Sequence, residues 1–280
     1  MKSFKTIGIG IAFSPNLKAN IYEASRLSLF FDAKLVLIHV GKASQEKEKK
    51  ILDLMKPFKE KGLAFELVFS AGDPVDVILS VSHQKKVDLL ILGALKRENF
   101  LKYYVGSIAR KITRKANCSV LLLINPSVDR IPCKHVVVSG LDNPKTPETV
   151  ATAFYVGKHL NVDKITVVEE ISKQEIAVNV EDSKSLRKAT IHKNRIRLRE
   201  TNRIKKILDT IPESYTSSVV VKSQPIFGKR GYSIGHYAQV VRADLLVINA
   251  SSRLSFWDRL FPHDIEHILT ELPTDVLILQ

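Results

Sequence analysis

A segment from the middle of the chain recurs at its C-terminus, and this constrains the fold more than any other feature. Shifted by 156 positions, Val87–Ile124 lands on Ala243–Gln280 without a gap. Ten of the 38 paired positions are identical: Asp88, Leu89, Leu90, Ala94, Arg97, Phe100, Ile112, Val120, Leu121 and Leu123. The apolar runs pair throughout, as two copies of one core would. Solenoid repeats run to about 20–50 residues, so this period is far too long for one. It implies two copies of a whole domain, and 280 residues divide into two units of ordinary domain size.

Within each copy, β-branched apolar runs alternate with helical patterns. In the first half Thr6–Ala12 and Lys34–Val40 read as strands, with a helix between them. Glu46–Lys61 sets Ile51, Leu54, Met55 and Phe58 at helical spacing on an otherwise charged segment. Leu63–Phe69 is the next strand, and Gly72-Asp73-Pro74 supplies a turn and a helix start. Val87–Leu92 is an unbroken apolar run, the mark of a central parallel strand. Ser107–Lys115 reads as a helix and Val120–Ile124 as the last strand. After a linker at Asn125–Lys134, the second half offers strands at His135–Leu141, Lys164–Val168, Ser217–Val221, Asp244–Ile248 and Asp275–Leu279. Thr149–Leu160 is its first helix. This alternation predicts α/β units, each a parallel sheet with helices on both faces.

Composition narrows the setting. No apolar run reaches the ~20 residues that span a bilayer, and the opening MKSFKTIGIGIAF reads as a first strand rather than a signal segment. Two cysteines, Cys118 and Cys133, supply neither a disulfide framework nor a four-ligand metal site. A cytoplasmic protein with no membrane association is expected. The formal charge is +14, and residues 184–206 concentrate it, with ten Lys or Arg against the single acid Glu200. Ile204, Ile207, Leu208 and Ile211 still give this segment an apolar stripe, so a solvated helix covering the sheet is the expectation. Nucleic acid is not the expected partner, because aromatic residues for base stacking do not interleave with the charges.

Gly93 closes a central strand, and Gly106-Ser107 opens the following helix. Such an arrangement suits a phosphate, since glycine lets backbone approach the ligand and a helix N-terminus presents unbonded N–H groups. Ligands of open parallel sheets sit at the carboxyl ends of the strands, where this loop lies. An ordinary turn glycine and helix cap account for the same residues.

The full spacing, Gly93-x2-Lys96-x9-Gly106-Ser107 followed by ANCSVLLL, resembles the nucleotide-binding loop of the universal stress protein family. ATP-binding members of that family carry Gly-x2-Gly-x9-Gly-Ser/Thr, and the segments LVLIHV, AGDPVDVIL and VDLLILG extend the resemblance. The resemblance implies two α/β domains, 1–127 and 132–280, each an open five-stranded parallel sheet of order 3-2-1-4-5. It further implies an intramolecular pseudo-dimer in which the last strands, Val120–Ile124 and Asp275–Leu279, meet, with a further homodimer left open. The implied ligand is ATP or a related adenine nucleotide in the first domain, on Val40, Gly93, Lys96, Gly106 and Ser107, with Val40 at the adenine. The implied role is that of a non-enzymatic stress-response regulator, acting on a protein partner that the sequence does not name.

Departures keep an alternative open. The family's ATP binders usually place an acidic residue after the first strand, near adenine and ribose. Here that stretch is Ile11-Ala12-Phe13-Ser14. In the second half Asp142 stands near that position, but Asn249, Ser252, Pro262 and His263 replace the loop's three glycines and its serine. A proline at Gly106's counterpart removes a donor. The second half is therefore expected not to bind nucleotide, and a scaffold that has lost binding in both halves is the alternative. His263 and His267 stand one helical turn apart, but no third ligand is evident and no metal is expected. Trp257, paired with Leu101 in the repeat, is expected to make an apolar contact. No serine or cysteine has a base at motif spacing, so no catalytic residue is expected, slow ATP hydrolysis aside.

Overall fold

The computed structural model describes residues 2–96, 103–177, 179, 181–229, 232–250 and 264–280. Two compact units emerge, one made of Ser3–Pro132 with Leu269–Gln280, the other of Cys133–Ile268 with Lys2. Among the described residues no helix is long and apolar enough to cross a membrane.

In the first half the elements run β1 (Thr6–Ile11), α1 (Leu17–Phe30), β2 (Lys34–Val40), α2 (Gln45–Lys59), β3 (Phe65–Ser70) and α3 (Pro74–Gln84). Next come β4 (Leu89–Gly93), the two-residue strands β5 (Leu95–Lys96) and β6 (Tyr103–Tyr104), α4 (Ser107–Lys115) and β7 (Ser119–Leu123). The strands pair in parallel in the order β3-β2-β1-β4-β7, the expected 3-2-1-4-5. Leu89, Leu90, Ile91 and Leu92 are all buried, which is why this run shows no alternation. The helix start at Gly72-Asp73-Pro74 holds. Gly72 takes φ +145°, a conformation costly for other residues, and Asp73 accepts from the Val75 and Asp76 N–H groups at 2.9 and 3.3 Å. The start of the linker is tied down within this unit, where Arg26 donates to the carbonyls of Ser127 and Val128.

The second half gives β8 (His135–Ser139), α5 (Thr146–Leu160), β9 (Lys164–Ser172), a 3-10 turn at Lys173–Ile176, α6 (Ser183–Leu208) and α7 (Glu213–Thr216). Then follow β10 (Val220–Gly228), α8 (Tyr232–Val240), β11 (Leu245–Asn249), α9 (Asp264–Thr270) and β12 (Asp275–Leu279). The parallel order β10-β9-β8-β11 repeats the first four places of the first half. β12 lies antiparallel on β7 within the unit that also holds Ser3–Pro132, with Val276 opposite Leu122 and Ile278 opposite Val120. The two last strands thus meet as expected, and residues 269–280 are grouped with Ser3–Pro132. Pairing satisfies the backbone groups that an apolar edge strand leaves open.

Two strands depart from the sequence reading. β9 runs to Ser172 rather than Val168, and β10 begins at Val220 and runs to Gly228 instead of spanning Ser217–Val221. They pair over nine residues, so Glu169 and Glu170, just past the expected strand end, are buried within a strand. The basic segment is one helix, α6, started by a reciprocal cap in which Asp182 accepts from the Ser185 N–H and the Ser185 hydroxyl accepts from the Asp182 N–H. Only part of it is a solvated face. Ile196, Glu200 and Ile204 are buried, and Arg203 is drawn inward with them.

Candidate functional site

The aspartate shared by both repeats is structural. Asp88 accepts the Lys5 and Thr6 N–H groups at 2.8 and 2.9 Å, and Asp244 accepts those of Lys134 and His135, both at 2.8 Å. Each carboxylate fixes the entry to its own first strand. The site is therefore sought at the opposite, carboxyl ends of the strands.

In the first unit β1, β2 and β4 end together there, and the N-terminus of α4 follows in sequence. Gly93, the last residue of β4, is exposed. A Cβ added to it would stand 3.8 Å from Oδ1 and 3.9 Å from Nδ2 of Asn20, in the second turn of α1. Asn20 Oδ1 is buried without a hydrogen-bond partner, an arrangement that costs about 1–3 kcal/mol when no ligand or water answers it. Val40 ends β2 half-buried, and Gly41 after it donates to the Ser70 carbonyl at 2.9 Å. Gly106 caps α4, and Ser107 is the first, exposed residue of that helix. The first-turn N–H groups of α4 have no acceptor within the helix, which favours an anion. Lys96 pairs with Tyr103 through the backbone and Leu95 with Tyr104, so the motif closes on itself as the base of a hairpin. Residues 97–102 lie outside the described residues.

In the loop after β1 the structure places an aromatic and basic cluster. His39 is buried under the loop after β1, its Nδ1–H donating to the Ile11 carbonyl at 3.1 Å. Its Nε2 then accepts from Lys47 Nζ at 3.5 Å. Phe13 stands edge-on to the His39 ring at 5.0 Å. Lys47 and Lys50 each hold their ammonium 5.7 Å from the Phe13 ring centroid.

In the second unit the equivalent ground is filled. Ile204 of α6 would lie 3.0 Å from a Cβ on Gly140, the residue after β8, and the Gly140 carbonyl accepts from Arg203. Buried Glu200 accepts from Arg203 Nε at 2.9 Å and Arg199 Nε at 2.8 Å. Asp142 is exposed and lies 4.0 Å from Arg203. Register matches Gly10 with Ile38 and Ser139 with Val168, so Glu170 stands where Val40 stands in the first unit. Its carboxylate accepts the Ile234 N–H at 2.8 Å, in the first turn of α8. Neighbouring Glu169 accepts from the Ser223 hydroxyl at 2.6 Å, while its Oε2 is buried without a partner. Burial pushes its carboxyl above the usual carboxylate range, and the Ser223 hydrogen bond and Arg203 offset this only in part.

Residues 3–123 match the family model described as the Universal stress protein family. The chain carries a universal stress protein domain. Among curated proteins, a universal stress protein of Methanocaldococcus jannaschii is 24% identical over 82 residues, covering 29% of this chain and 48% of that protein. YxiE, a universal stress protein of Bacillus subtilis, is 28% identical over 64 residues, 23% of this chain and 43% of its own length. The chain thus spans about half the length of these curated relatives. Solved structures extend the fold likeness to the whole chain. A putative universal stress protein of Pseudomonas aeruginosa superposes with a TM-score of 0.70 at 16% identity, over 99% of this chain and 93% of that one. One from Archaeoglobus fulgidus gives 0.68 at 14% identity, over 98% of each.

Of the residues singled out in sequence, Val40, Gly93, Gly106 and Ser107 fall at the carboxyl end of the universal stress protein domain's sheet or in the segment that follows it, and the backbone of Lys96 falls beside them. Ser252, Trp257, Pro262 and His263 lie outside the described residues. His267 stands edge-on to Tyr232 at 6.3 Å, and no group of three or more potential metal ligands occurs among the described residues. Sequence reasoning passed over Asn20, Lys47 and Lys50, which belong to no motif. It also passed over Glu170 and Arg203, although two consecutive acids at a strand end were visible as a signal.

Proposed function

We propose that this protein is a non-enzymatic stress-response regulator whose first unit binds an adenine nucleotide at its strand ends. The observation that carries the reading is Asn20 Oδ1, buried and without a hydrogen-bond partner beside exposed Gly93. A ligand group that donates a hydrogen bond would satisfy it. The base lies along Val40 and the phosphates over Gly93, Lys96, Gly106 and Ser107, drawn by the α4 N-terminus and a formal charge of +14. The ligand acts by changing which protein partner the surface accepts. The chain is read as two repeated domains, 1–127 and 132–280.

A scaffold without ligand is the second reading, favoured by the filled strand end of the second unit. Mass spectrometry of the denatured protein for a carried nucleotide, with calorimetric titration of ATP and ADP, separates the two. Gly106→Pro, copying Pro262, is expected to abolish binding by removing an N–H and crowding the loop, with circular dichroism unchanged. Equal affinity in that variant would place the ligand elsewhere.

A further inference from the structure

The cluster at Phe13 has the wrong charge for the ligand that a carboxylate would hold. A carboxylate after β1 accepts hydrogen bonds from free ribose hydroxyls and repels a phosphate placed on them. Dinucleotide-binding sheets show the same alternation, an acid for a free 2′-hydroxyl and a cation nearby for a 2′-phosphate. Here Phe13 stands on that loop, and Lys47 and Lys50 of α2 both reach its ring. The two lysines are three residues apart on one helix, a like-charge neighbourhood that is unfavourable on its own. Among the described residues no carboxylate pairs with Lys42, Lys47 or Lys50. Lys47 is half-buried and spends its donors on His39 Nε2 and the Lys42 carbonyl, both at a long 3.5 Å. Those are the distances of donors that a better acceptor would capture.

We infer that the first unit takes an adenine nucleotide bearing a phosphate on its ribose, held by Lys47 and Lys50 against the edge of Phe13. The inference rests on the nucleotide reading above and adds the position of the second anionic group. Phe13 lies 37% exposed at the mouth, a flat wall on the ribose side. The neutral Asn20–Gly93 ground takes the remainder of the ligand.

The test compares three ligands with two phosphates each, differing only in where they sit: ADP, adenosine 3′,5′-bisphosphate and adenosine 2′,5′-bisphosphate. Calorimetry on the full chain is expected to find one bisphosphate about tenfold tighter than ADP, the effect of one additional charge-assisted hydrogen bond. In the double variant Lys47→Ala/Lys50→Ala, with its fold checked by circular dichroism, the ratio is expected to fall to about one. ADP binding as tightly as both bisphosphates would overturn the inference and leave nucleotide binding standing. A tenfold ratio that survives in the double variant would also overturn it, by removing the lysines as its cause. If none of the three binds, this inference and the nucleotide reading fall together.

Discussion

The carboxyl ends of the two sheets start from the same topology and reach opposite states. In the first unit Gly93 is exposed beside an orphaned amide oxygen of Asn20, and Lys47 and Lys50 gather at Phe13 with no carboxylate partner among the described residues. In the second, Ile204, Arg203 and Glu200 of α6 close over Gly140, and Glu170 caps α8 at the position of Val40. The same strand order therefore does not make a ligand site. What decides is whether a later segment of the chain supplies the groups that a ligand would otherwise supply. The second unit answers its strand ends with its own side chains, and the first leaves them to something outside the chain.

The sharpest way to break this comparison is to remove the closure. Glu200→Ala leaves Arg203 half-buried without its carboxylate, and urea denaturation should report a loss of about 3 kcal/mol. A change under about 0.5 kcal/mol would return α6 to the solvated surface helix expected from its charge. A smaller effect is expected from Glu170→Val, which copies Val40 into the second unit. Losing the cap on α8 should cost about 1–2 kcal/mol, and calorimetry should detect no nucleotide at the remodelled position. Gain of binding there would mean that the cap alone had kept the ligand out.

Glu169→Gln goes the other way. Its folded-state pKa is raised, so the folded protein holds the proton more tightly than the unfolded chain. The favourable contribution is complete below the ordinary carboxylate pKa and disappears as pH rises through the raised one. At neutral pH the charged, half-satisfied carboxylate is then a liability. The glutamine variant, which keeps an acceptor for Ser223, should be more stable there by about 1 kcal/mol, with the gain shrinking in acid. Melting curves at two pH values measure it, and equal gains at both would remove the proton from the explanation.

The smallest effect is expected at the start of α6. Lys184, Arg187, Lys188 and Arg195 are exposed, and their joint replacement by glutamine should change stability by less than about 0.5 kcal/mol. Filter binding of nucleic acid should be weak at physiological salt before and after that change. Submicromolar binding lost in the variant would give this face a polyanion partner.

The resemblance to the universal stress protein family implied the order of the first sheet, whereas the sequence alone determined the repeat and the strand–helix alternation. These follow from periodicities local to each segment, such as the buried run Leu89–Leu92 or the cap at Asp73. It also put Val40 and Gly93 at the carboxyl ends of their strands, which a parallel sheet brings to one edge whatever lies between them. Only the tertiary structure decided where β9 ends, since Glu169 and Glu170 are polar by composition and buried by their pairing with β10. It alone fixed the antiparallel register of β12 on β7, Val276 opposite Leu122, since the family resemblance implied that these strands meet but neither strand's own pattern marks the register. The fate of α6 was hidden for the same reason. Ten positive charges read as surface until Glu200, one helical turn earlier, and the Gly140 carbonyl, distant in sequence, supply the acceptors that draw Arg203 inward. Local propensity can be read residue by residue, whereas the burial of a charge depends on a partner from elsewhere in the chain.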